Sequence, residues 1–228
     1  RTEQSEGEEG ALIIRPSDRP LSDEEWRELL RVQDFGTLIA PGAHRELPVV
    51  SPSHFAYDGA ETVVLHFVRD NPIWEALSER PVAILSVIAD YAYIPGYWNA
   101  GEEAPEEWGV PTSYYATVQL TCDTTVVDDP EQLARLLSDL MDHFQPEGRH
   151  APVEAGDNPY GRQFGAIRGL RLRIREVRAK FKFGGNRPLA HRVAVAESLR
   201  ARGGPYDPEV RARVLARSAA RPDPPPPD

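Results

Sequence analysis

The sequence is short of four things: cysteine, lysine, long apolar runs and positive charge. Its one cysteine, Cys122, can close no internal disulfide and has no second thiolate for a metal site, so a buried, inert thiol is expected there rather than a nucleophile. No apolar run approaches the ~18 residues that span a bilayer, which excludes a helical membrane segment. The chain opens on acidic and polar residues with no cationic, apolar leader pattern, and a cytoplasmic location is expected. A net charge of -10 argues against a general nucleic-acid binder, because affinity for phosphate backbones rests on a basic surface. No helix-turn-helix appears, and Asp207 to Arg217 is the one arginine-rich helical stretch. A Gly-x-Gly-x-x-Gly loop, a serine nucleophile elbow, a zinc signature and an internal repeat are all missing.

The lysine shortage is informative by position. Of 26 Lys and Arg residues, two are lysines, and both lie in Lys180-Phe-Lys182-Phe-Gly-Gly-Asn186-Arg187-Pro188. Where arginine serves everywhere else, a retained lysine points to a compact point charge or a titratable amine. At a spacing of two, both project from the same face of a strand. The plainer reading is a solvated edge with lysines set against aggregation.

What is present centres on Thr62-Val-Val-Leu-His66-Phe-Val-Arg-Asp-Asn71-Pro-Ile-Trp74. Both parities of this strand are apolar except for His66. Asn71 fits a helix N-cap, Pro72 the first helical position, and Trp74 and Leu77 an inward face. A histidine on a stiff strand serves as a ligand, a base or a satisfied core hydrogen-bond donor. Before it, Ser22 to Glu25 reads as a capping box with Trp26, Leu29 and Leu30 facing inward. Strands are expected at Phe35–Ile39 and Val49–Tyr57, with His54 in the second and a turn at Asp58-Gly59.

After it, Val82–Ala89 is an apolar run expected to be a central strand, followed by an aromatic loop from Tyr91 to Trp98. Thr112–Val127 reads as a long strand. Asp129-Pro130 opens a helix with Leu133, Leu136, Leu137, Leu140, Met141 and Phe144 at helical spacing. His143 and His150, at its end, have no partner at a ligand spacing. Phe164–Val177 alternates as a strand with an arginine face. Pro188–Leu199 is a further helix, then a Gly-Gly-Pro hinge and a short helix from Asp207. Six strands with interspersed helices argue for a closed β-barrel with peripheral helices. The expected organisation is a disordered acidic stretch at 1–10, one domain over 11–200, and a short helix with a proline-rich tail over 201–228.

Read in order, His66-Phe-Val68 with Asn71-Pro72 and Trp74, Ala92-Tyr93-Ile94, Val110-Pro111-Thr112, Val127-Asp128-Asp129-Pro130, and Lys180-Phe-Lys182 with Asn186-Arg187-Pro188 resemble the PaiB-type family of FMN-binding negative transcriptional regulators. The resemblance runs over roughly residues 12 to 200. It implies an α+β, single-domain, flavin-reductase-like split β-barrel with peripheral helices, and a homodimer with its cofactor near the subunit interface.

Departures from the family pattern point to one branch of similar proteins. Gly96-Tyr97-Trp98 and Glu107-Trp108-Gly109 stand where members tend to carry Ser-Trp-Tyr and Gly-Lys, and Gly184-Gly185 stands for Ser-Gln. A loop with Glu102, Glu103, Glu106 and Glu107 and no lysine suits an FMN phosphate less well. The haem-dependent piperazate synthases share the split barrel, and resemblance to them implies an enzyme with haem b. Neutral His66 would be the axial iron ligand, its second ring nitrogen hydrogen-bonded to hold the tautomer. The reaction implied is cyclisation of an amino-acid substrate, N5-hydroxyornithine, through an N–N bond with loss of water. Lys182, Lys180 and Tyr93 would be catalytic, and Thr112, Tyr114, Tyr115 and Arg187 would line the cofactor. The alternative is an FMN-binding, non-catalytic regulator in which Lys180, Lys182 and Arg187 contact the phosphate.

Overall fold

The computed structural model describes residues 12–100 and 104–220. The acidic stretch expected at 1–10, Glu102, Glu103 and the proline-rich end of the tail lie outside the described residues. Two compact units are formed, one by Arg27–Val87 and Gln119–Val177, the other by the described residues of Arg1–Trp26, Ile88–Val118 and Arg178–Asp228.

Among the described residues seven strands, not six, make one sheet: β1 (Phe35–Ala40), β2 (Val49–His54), β3 (Ala56–Tyr57), β4 (Thr62–Val68), β5 (Val82–Ile94), β6 (Thr112–Val127) and β7 (Ile167–Lys182), in the order β2-β1-β5-β6-β7-β4-β3. The extra strand arises because the expected Val49–Tyr57 strand breaks at Phe55, whose N–H donates to Asp34 O instead of the ladder. In the first unit β4 pairs antiparallel with β7, His66 opposite Gly169. A Cβ on Gly169 would lie 2.9 Å from Leu136 Cδ1, so the bare Cα lets helix α3 (Pro130–Phe144) close on the sheet. Asp129 starts α3 by accepting the Gln132 N–H at 3.0 Å, and Leu133, Leu136 and Leu140 are buried beneath it. After β4, Asn71 Oδ1 accepts the Ile73 N–H at 2.9 Å, the cap expected from sequence, and helix α2 (Ile73–Glu79) begins. Trp74 Nε1 then donates to Val68 O at 2.8 Å, fixing the strand end that carries His66.

In the second unit β5 continues to Ile94, through what the sequence presents as an aromatic loop. The cause is Asp90, at φ 52°, which Arg213 Nε holds at 2.9 Å. Ahead of it Val87 and Ala89 are buried; beyond it the parity shifts, and Ala92 and Ile94 are buried while Tyr91 and Tyr93 are exposed. This is the signature of a bulge. β7 likewise runs five residues past Val177 and takes in both lysines. Helix α4 (Leu189–Arg202) runs past residue 200, and the Gly-Gly-Pro stretch that follows caps it. Gly203, at φ 64°, donates its N–H to Leu199 O at 3.0 Å, and Asp207 accepts from Arg202 and the Gly204 N–H before helix α5 (Asp207–Ala220) begins. Arg217 of α5 is fully buried, donating to both oxygens of Glu25 at 2.9 and 3.0 Å.

Candidate functional site

Two cavities collect the chemistry, one in each unit. The first unit holds an apolar cavity of about 440 Å³ between β2, β4 and α3, lined by His54, His66, Leu137, Leu140, Met141, Phe144, Val153, Tyr160, Gln163, Phe164 and Ile167. His66 projects into it from β4. Its Nδ1 is buried and has no hydrogen-bond partner. The expected tautomer-fixing hydrogen bond at that nitrogen is therefore not made. The His54 ring stands edge-on to His66 with centroids 5.2 Å apart, and edge-on to Phe144 at 5.0 Å. Burial first, then the neighbouring His54, lowers the His66 pKa below its ordinary 6.5, so the imidazole is neutral at pH 7 with a lone pair available. His143 is not part of this site: its Nε2 lies 3.2 Å from Asp34.

The second unit holds a polar cleft of about 350 Å³ lined by Arg15, Asn99, Ala100, Trp108, Val110, Pro111, Thr112, Tyr114, Lys182, Gly184, Asn186 and Arg187. The strands β6 and β7 deliver Thr112 and Lys182 side by side, and Lys182 Nζ donates to Thr112 Oγ1 at 2.7 Å. Arg187 donates from Nη2 to Asn99 O at 3.1 Å, while its buried Nε has no partner. Gly184 is needed twice, for its φ of 72° and because a Cβ there would lie 2.3 Å from the Tyr114 hydroxyl. Burial pushes the Tyr114 phenol up to about 12, so it faces the cleft as a neutral donor. Gly96 and Gly109 cross backbone to backbone; a Cβ on Gly109 would meet Gly96 O at 1.8 Å.

The expected site residues thus divide. Thr112, Tyr114, Lys182 and Arg187 come together in the cleft, whereas His66 lines the other cavity. Lys180 does not join its neighbour: its Nζ donates to Ile13 O at 2.9 Å, lies 3.9 Å from Asp18 and 5.8 Å from the Tyr115 ring centre, and so ties down the N-terminal segment. Tyr115 is that cation's platform and lines neither cavity. Tyr93 is half exposed, and its part is to accept from Arg202 Nη1 through its backbone oxygen at 2.7 Å. Glu106 and Glu107, expected to repel a phosphate, sit exposed on a 3-10 turn and do not line the cleft. Cys122 is fully buried and its thiol is pushed up to about 12 by burial, as an inert side chain should be. Sequence reasoning missed His54, Arg15, Asn99 and Asn186. His54 left one clue, a second imidazole on a predicted strand; Arg15 left none.

The sequence model of the family described as "Putative FMN-binding domain" matches residues 13–176. No curated protein matches the chain. Among solved structures, the flavocytochrome Anf3 from Azotobacter vinelandii is similar with a TM-score of 0.55 at 18% identity, over 72% of this chain and 69% of that one. The FAD and haem binding protein from Mycobacterium smegmatis is similar with a TM-score of 0.51 at 20% identity, over 72% of this chain and 73% of that one. At such identities the likeness is one of fold, and that fold is the flavin-reductase-like split barrel with peripheral helices. Among the described residues no helix is long and apolar enough to cross a membrane, and no group of three or more histidine, cysteine, aspartate or glutamate side chains is placed to hold a metal ion.

Proposed function

Because the chain belongs to this FMN-binding domain family, with likenesses of fold to proteins named for haem as well as flavin, we propose that it binds haem b through His66. One observation carries the reading: a neutral imidazole with a buried, unpartnered nitrogen faces an apolar cavity. A buried polar atom left without a hydrogen bond costs about 1–3 kcal/mol, a cost that a partner at the ring would relieve. The donor set suits haem, whose iron takes one histidine and whose ring wants apolar walls. Leu137, Leu140, Phe144, Phe164 and Ile167 supply those walls.

The reaction we assign is the cyclisation of N5-hydroxyornithine. When bound, haem supplies a Lewis-acidic iron that polarises the N–O bond. The N–O bond breaks, the α-amine lone pair forms the N–N bond, and the amine proton leaves with the hydroxyl as water, with no external oxidant or reductant. The chain's part is to hold the iron on neutral His66, to keep bulk water out with its apolar wall, and to meet the substrate's polar ends with Tyr160 and Gln163. A homodimer belongs to this reading, supported by the exposed apolar side chains of Ile88, Tyr91 and Tyr93 on β5. The test is mass spectrometry of N5-hydroxyornithine incubated with haem-loaded chain. A cyclic product lighter by one water, not formed by the His66→Ala chain, is expected; unchanged substrate sinks the enzyme assignment.

The match over residues 13–176 supports FMN binding, and the second reading is an FMN-binding regulator without catalysis. It predicts a flavin spectrum and no haem band in the purified chain.

A further inference from the structure

The first unit holds a further cavity, of about 460 Å³, built on β1 and β5 where Ile39 stands opposite Ile84. Those two side chains and Val82 give it an apolar lining, and Thr121 of β6 adds a hydroxyl. Pro41 and Pro48, which also line it, stiffen the loop between β1 and β2 at both ends. Two charged side chains face this lining, Glu46 from the loop and Arg80 from the end of α2. They do not pair with each other, and among the described residues neither side chain has another partner. Their chain neighbours do pair: Arg45 Nη2 lies 2.8 Å from Glu75 and 2.8 Å from Glu79, so the residue before Glu46 is clamped to the residue before Arg80. The backbone is tied on both sides as well. The Ala43 N–H donates to Glu79 Oε2 at 3.0 Å, the Val82 N–H to Arg80 O at 2.8 Å and the Thr124 N–H to Pro81 O at 3.1 Å. One ion pair thus closes while the next stays open, leaving a cation and an anion on anchored backbone beside an apolar lining.

We infer that this cavity binds a free α-amino acid with an uncharged, apolar side chain: Arg80 takes its carboxylate, Glu46 its ammonium, and Ile39, Val82 and Ile84 its side chain. A guanidinium presents the planar fork that a carboxylate accepts, and a glutamate accepts the N–H groups of an ammonium. A zwitterion answers both open charges at once. A simple anion would face Glu46 and a simple cation Arg80, while an uncharged apolar ligand would leave both charges desolvated and unpaired. None of these residues lines the His66 cavity, so the inference stands whether or not His66 holds haem.

The experiment is an NMR titration of the intact chain with L-leucine and with two analogues, leucinamide, which lacks the carboxylate, and 4-methylpentanoate, which lacks the ammonium. Leucine is expected to shift the backbone amides of Ala83, Ile84 and Thr121. Each analogue should bind ~10-fold or more weakly, the loss of one charge-assisted hydrogen bond. Arg80→Gln should weaken leucine by the same factor and leave leucinamide unchanged. Glu46→Gln should weaken leucine likewise and leave 4-methylpentanoate unchanged. Both side chains are exposed, so the thermal midpoint should hold in each variant, and the analogue series on the wild-type chain reads the site without any substitution. No leucine binding, equal binding of all three compounds, or wild-type leucine affinity in both variants would overturn the inference. A His66→Ala chain that binds leucine like the wild type supports a site apart from the haem reading, whatever the fate of the latter; leucine binding lost in that chain would overturn it.

Discussion

Replacing Arg217 tests how the second unit is held together. Its guanidinium is fully buried, donates to both oxygens of Glu25 at 2.9 and 3.0 Å, and lies 5.3 and 5.1 Å from the ring centres of Phe181 and Phe183. Those two rings alternate with Lys180 and Lys182 at the end of β7, so this contact seats the strand that carries the cleft. Arg217→Met keeps most of the stem and removes the charge. Glu25 is then left with the Leu21 N–H at 2.7 Å and a distant Arg213 at 3.5 Å. Breaking a buried pair from one side costs about 3–5 kcal/mol. For a chain of this length that is a fall in thermal midpoint of roughly 6–20 °C. Urea unfolding followed by far-UV circular dichroism gives the free energy directly. Adding Glu25→Leu should recover about 2 kcal/mol relative to the sum of the single losses, since neither charge is then buried alone. A loss below about 1 kcal/mol for Arg217→Met, or strict additivity in the double variant, would refute the reasoning.

Two other perturbations follow from single geometric facts. Burial, and then Arg187, holds His191 down at about 4 from its ordinary 6.5. Between those values the unfolded chain binds the proton that the folded chain refuses, so stability is full above about 6.5 and is lost as pH falls towards 4. His191→Gln should flatten the thermal midpoint over that window, and an unaltered pH profile would contradict the assignment. Gly109→Ala places a Cβ 1.8 Å from Gly96 O, with backbone on both sides and nothing that can give way cheaply. It should cost about 1–3 kcal/mol in urea unfolding, whereas wild-type stability would show that the crossing is not needed.

Much of the framework could be read from the residues, because its signals are local. β4, the Asn71 cap and the helix after Asp129 each declare themselves within a dozen residues through parity, N-cap chemistry and 3.6-residue spacing. The end of β5 could not be read, because the bulge at Asp90 reverses the alternation that defines a strand, and it is held by Arg213, which comes from a helix far along the chain. The C-terminal segment resembles an arginine-rich appendage until Glu25 and the two phenylalanines are brought to it. Of the site residues, His66 was legible as the polar exception on an apolar strand. Lys182 and Arg187 were legible by type and position, while Lys180 misled because equal spacing on a strand does not give equal neighbours. Arg15 and Asn99 reach the cleft through tertiary contact, which no sequence period records.

The central claim is that His66 holds a haem iron, and the visible absorption spectrum of the purified chain, expressed with haem precursor and without added flavin, tests it most directly. A Soret band that is present in the wild type, kept in His54→Ala and lost in a folded His66→Ala chain is the predicted result. A Soret band that survives His66→Ala, or a wild-type spectrum showing flavin bands alone, would contradict it.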